Sequence, residues 1–106
     1  MKMYLDTSTN NCILRLDDKE YRWAAGHQTS EGLHEFIHNC LQKNDAEWRD
    51  ISGITFYAGP GSFTGLRIGA AIVNALADVL QIPLYDQHGQ LHQIIMPEYG
   101  RPANIS

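Results

Sequence analysis

The chain has 106 residues, 43% of them hydrophobic and 19% charged, with a formal net charge of −4. That length supports one domain around one core, and the balance is globular rather than disordered. The acidic sign argues against this chain alone binding nucleic acid, which needs a basic face for phosphate contacts.

Three short strands are expected first: Met3–Ser8, Cys12–Leu16 and Glu20–Gly26. The turns between them are short and polar ("DDK" at Asp17–Lys19), which makes an antiparallel meander. "SEGLHEFIHNCLQKN" then reads as a helix, with Ser30 as N-cap, Glu31 in the first turn, and Leu33, Phe36, Ile37, Cys40 and Leu41 as one apolar stripe. Asp45–Ile51 is a connector with room for one helical turn, and Gly53–Gly59 is a buried strand. A turn leads into a long helix from about Ser62 to Leu80. A strand at Ile82–Asp86 follows, and the mixed tail has room for another at Leu91–Met96. The order β-β-β-α-β-α-β predicts an α/β layer with a mixed sheet, the meander on one side and parallel strands joined through helices on the other.

Cys12 and Cys40 stand far apart with no CxxC spacing, as expected of reduced thiols in a cytoplasmic protein. The N-terminus has no long apolar run, because Asp6 interrupts it. Ile68–Leu80 carries Asn74 and Asp78 and is expected to be too short for a membrane span.

Gly59, Gly61 and Gly65 have the spacing GxGxxxG, one residue off the dinucleotide fingerprint, and the loop lacks the lysine of a phosphate-binding P-loop. Ser62 and Thr64 either cap the helix or offer backbone N–H groups to an anion. Asp6 and Thr7, in "DTST", with Gly61 and Ser62 make the anion or nucleotide candidate; the competing reading of "DTST" is a turn bonded to its own backbone. "HEFIH" (His34–His38) matches the HExxH zinc signature, with Glu35 as base and His88, His92 or Glu98 as formal third ligands, and carries a remote zinc-hydrolase reading.

The helix behind the glycine turn is apolar around most of its circumference, with Arg67, Asn74 and Asp78 as a narrow polar stripe. Such a helix must be covered on two sides. One cover is its own sheet. The other is expected to be a second protein, with Gly65 and Gly69 admitting its backbone, or else the tail folded back.

"GPGSFTGLRIG" (Gly59–Gly69) resembles the hallmark of the TsaB (YeaZ) family. "YLDTSTNNCILRL" is similar to that family's first hairpin, "TSEGLHEFIHNCL" to its first helix, and "ISGITFYAGPGSFTGLRIGAAIVNALADVLQIPLY" to its strand–loop–helix–strand. The resemblance implies a single actin/Hsp70-like (ASKHA, ribonuclease H-like) lobe. It also implies a non-catalytic partner of TsaD, the metal-bearing subunit that transfers threonylcarbamoyl to a tRNA adenosine, with the ATPase TsaE joining the assembly and no direct tRNA contact by this chain. Carried over as partner-interface positions are Ser62, Phe63, Thr64, Leu66, Arg67, Gly69 and Ala70, and on the first helix Leu33, His34 and Ile37. The alternative is a homodimer through the same helix. The chain passes from Asp86 almost directly to "IIMPEYGRPANIS", similar to a family C-terminus. A core over residues 1–86 with a tail over 87–106 and no second lobe is therefore expected. No firmly bound cofactor or metal is expected, and ATP only within the complex.

Overall fold

The computed structural model describes residues 1–98. Strands β1 (Lys2–Asp6), β2 (Asn11–Leu16) and β3 (Lys19–Ala24) form the antiparallel meander, and α1 (Thr29–Lys43) follows a short 3₁₀ turn. A second 3₁₀ turn at Trp48–Asp50 leads to β4 (Gly53–Phe56). Then come α2 (Phe63–Leu80), β5 (Leu84–Asp86) and β6 (Leu91–His92). The six-stranded sheet has the order β3-β2-β1-β4-β5-β6. β4 lies parallel to both β1 and β5, and the remaining pairs are antiparallel.

Alternation along the strands puts Met3, Leu5, Cys12, Leu14, Leu16, Ile54, Phe56 and Leu84 on the buried face. Both helices pack there. Leu33, Ile37, Cys40 and Leu41 come from α1, and Leu66, Ala70, Val73 and Ala77 from α2, and all join one continuous core. Each fully buried Leu or Phe contributes about 1.5–3 kcal/mol. On the opposite face Tyr4, Thr55 and Tyr85 lie in register. The Arg15 guanidinium sits 4.6 Å from the centre of the Tyr4 ring, and exposed ion pairs join Arg15 and Arg22 to Glu20.

The expected elements are all present, with shifted ends. β1 stops at Asp6 because its Oδ1 accepts the Ser8 N–H at 2.8 Å and turns the chain. Ser30 is not the N-cap. α1 begins two residues earlier, after Gln28, with no side-chain cap bond. Ser62 does cap α2, accepting the Gly65 N–H. β6 is only two residues long, because the chain then leaves the sheet and Ile95 turns in against α2. Residues 99–106 of the expected tail lie outside the described residues. α2 has 18 residues and so reaches the length and apolarity of a membrane span, contrary to the shorter segment expected. Its Leu66, Ala70, Val73 and Ala77 are nevertheless spent on the sheet.

Candidate protein-docking face

The glycines of the hallmark segment serve contacts inside this chain. α2 lies so close to the end of β1 that a Cβ on Gly65 would collide with the Thr7 carbonyl oxygen. One on Gly69 would collide with Thr7 Oγ1 and the Phe56 ring. The Thr7 hydroxyl donates to the Gly65 carbonyl at 2.6 Å, and Thr7 is fully buried. The Ser62 N–H donates to the Ser8 carbonyl at 2.8 Å, and the Gly65 N–H donates to Ser62 Oγ at 3.3 Å. Thr7 and the Ser62 amide of the anion candidate are therefore committed to joining β1 to α2. Asp6 holds its own turn, and Gly61 is exposed.

Burial divides the expected partner positions. Leu66, Gly69, Ala70, Leu33 and Ile37 are buried in this chain's own core, so the expectation that they face a partner is corrected: the sheet already covers them. Ser62, Phe63, Thr64, Arg67 and His34 are exposed. Phe63 is 48% exposed, and the Arg67 guanidinium lies 5.9 Å from the centre of its ring. Beyond them Ile68, Ala71, Ala75 and Val79 continue along the outer side of α2, with Ala71, Ala75 and Val79 exposed and Ile68 half-buried. Thr64, Arg67, Ile68 and Ala71 line a shallow depression there. Its small residues let a second helix approach closely, as packing at 8–10 Å between axes requires. Ala71, Ala75 and Val79 were absent from the expected interface. Their helical spacing opposite the buried stripe was the signal that could have found them.

The family model described as TsaD, tRNA N6-adenosine threonylcarbamoyltransferase, matches residues 23–95. The tRNA threonylcarbamoyladenosine biosynthesis protein TsaB of Bacillus subtilis is 42% identical over 48 residues, 45% of this chain and 21% of that protein. TsaB of Buchnera aphidicola from Acyrthosiphon pisum is 35% identical over 84 residues, 76% of this chain and 38% of that protein. The solved structure of YeaZ from Pseudomonas aeruginosa superposes with a TM-score of 0.71 at 28% identity, covering 80% of this chain and 42% of that one. The chain belongs to the TsaB/YeaZ family. It spans less than half the length of these relatives. The fold is the actin/Hsp70-like one of YeaZ.

Two other clusters in this TsaB-family chain have structural explanations. His34 and His38 both stack on Trp48, with ring centres 5.0 and 6.2 Å away, and so fasten α1 to the connector. Among the described residues no three His, Cys, Asp or Glu side chains gather as metal ligands, so the zinc reading of "HEFIH" gives way to aromatic packing. Cys12 and Cys40 are free and buried, and burial pushes both thiols up from their ordinary pKa.

Asp86 organises the β5–β6 hairpin. Its carboxylate accepts from the His92 imidazole at 2.8 Å and from the backbone N–H groups of His88 and Gln90 at 2.8 and 3.1 Å. The His92 bond, then the Gln90 and His88 amides, hold Asp86 below the usual carboxylate range. A depressed folded pKa stabilises the fold above the ordinary value of about 4, and that stability is lost as pH falls through the folded value. Asp86→Asn should therefore be less stable than the parent at pH 7 by urea midpoint. The gap should close as pH falls below about 4. A gap of constant size across that range would contradict this role.

Proposed function

We propose that this chain is a non-catalytic partner subunit in tRNA threonylcarbamoyladenosine biosynthesis. It docks the outer side of α2 and the adjoining loop against a TsaD-type transferase. The observation that carries the reading is the surface of α2: after the sheet has taken one side, Phe63, Arg67, Ala71, Ala75 and Val79 still face outward on a helix whose small residues suit close helix packing. The match of the transferase family model to residues 23–95 supports a partner of related architecture, so that helices on the two chains would meet as near-equivalents. The charge of −4 fits a subunit that leaves tRNA contact to others. Any ATP, and any TsaE, would be met within that assembly.

Co-expression with the cognate TsaD and size-exclusion chromatography test the proposal. Co-elution as a heterodimer is the expected result. A chain that elutes only as its own dimer would favour the homodimer, and one that elutes only as a monomer would remove the docking role.

A further inference from the structure

The loop from Tyr57 to Ser62 leaves β4 and delivers the first turn of α2, and its backbone groups are satisfied from distant parts of the chain. The Gln87 side chain accepts from the Ala58 N–H at 3.0 Å and donates to the Gly59 carbonyl at 2.6 Å. The Glu98 N–H donates to the Ala58 carbonyl at 2.6 Å, so both polar groups of Ala58 are held from outside the loop. Gly59, at φ 120°, faces the Glu98 carbonyl so closely that no Cβ would fit. At its other end the segment running to Glu98 is held by Asn74. That amide donates to the Ile95 carbonyl at 3.0 Å and accepts the Ile95 N–H at 2.8 Å, while the Ile95 side chain is 1% exposed.

Residues 93–98 are therefore a strap running from the middle of α2 to the loop that starts α2. Gln87 and the strap together tie Asn74, through Ile95 and Glu98, to Ala58 and Gly59. Ile94 and Met96 point outward on either side of the buried Ile95.

We propose that Gln87 and the strap are positioning elements for docking: they hold the Tyr57–Ser62 loop in the conformation a partner recognises. This rests on the docking role proposed above. The loop carries few bonds of its own. One is from the Tyr57 hydroxyl to the Pro60 carbonyl, at 2.9 Å, and the Ser62–Ser8 bond ties down its far end. With the clamp removed, the Ala58 and Gly59 backbone groups turn to water and the loop samples other conformations. A partner must then wait for the competent one, which lowers its association rate by the competent fraction.

The test uses Gln87→Met, which keeps the side-chain volume and removes both bonds, and Asn74→Leu, which frees the strap from its other end. Tyr21→Phe is the comparison. It loses the bond from Asn44 to the Tyr21 hydroxyl, far from the loop, and so loosens the fold without touching the clamp. In the free chain, amide exchange at Ala58, whose N–H Gln87 accepts, should rise about tenfold or more in Gln87→Met over the change in core amides. Association with the cognate TsaD should slow several-fold, with dissociation little altered. Asn74→Leu should give the same pattern, and decides the matter if Gln87→Met does not fold. Loop amides exchanging as in the parent would overturn the proposal. So would a loosened loop with binding rates equal to those of Tyr21→Phe. If the parent itself does not bind TsaD, the docking role fails, and the exchange data still decide whether the clamp sets the loop.

Discussion

Ala71→Arg should abolish binding of a TsaD-type transferase while leaving the chain folded. Ala71 is exposed at the centre of the outer stripe, one turn beyond Arg67 and one before Ala75. Arginine there costs little in the free chain, because its helix propensity is close to that of alanine. At a packed helix–helix contact, by contrast, it places a long charged side chain where the neighbouring helix axis would lie 8–10 Å away. Loss at the centre of an interface is commonly about 2–4 kcal/mol, or roughly a 30- to 1,000-fold weakening. The thermal midpoint should stay within a few degrees of the parent. Equal binding by Ala71→Arg and the parent would move the docking face off α2.

Gly69→Val should unfold the chain or come near to it. The new side chain would enter space held by Thr7 Oγ1 and the Phe56 ring, both fully buried. Overpacking a filled core costs about 1–3 kcal/mol. A branched side chain against both a backbone-bonded hydroxyl and an aromatic ring belongs at the upper end. For a domain of this size about 3 kcal/mol lowers the thermal midpoint by roughly 12 °C or more. Thermal melts followed by circular dichroism measure it. If Gly69→Val melted like the parent, Gly69 would not be the close contact between α2 and β1.

These two positions also show how far the sequence can be read. The helical period located α2, and its near-continuous apolar circumference led to the expectation of two covers, of which the structure supplies the sheet. Periodicity reports that a residue is buried, not by what. Gly69 looked like a contact for another chain because the groups it meets, Thr7 Oγ1 and the Phe56 ring, are not its neighbours in sequence. The mixed sheet, with the meander on one side and parallel strands on the other, was legible because short polar turns force a meander and a helical crossover forces parallel pairing. Thr7, Gln87 and Asn74 were not legible as anchors. A polar side chain that bonds a distant backbone leaves no periodic trace, although an amide in the apolar α2 was itself a sign of a buried partner. "HEFIH" failed in the opposite way. The i, i+4 spacing did put both histidines on one face, but the companion waiting there was Trp48 rather than a metal. Residue type and spacing alone do not distinguish the two.

Titration calorimetry of the cognate TsaD against this chain and against Ala71→Arg bears most directly on the docking role. The account predicts a one-to-one complex with the parent chain and no measurable heat of binding with Ala71→Arg at the same concentrations. Absence of binding by the parent, or undiminished binding by Ala71→Arg, would contradict it.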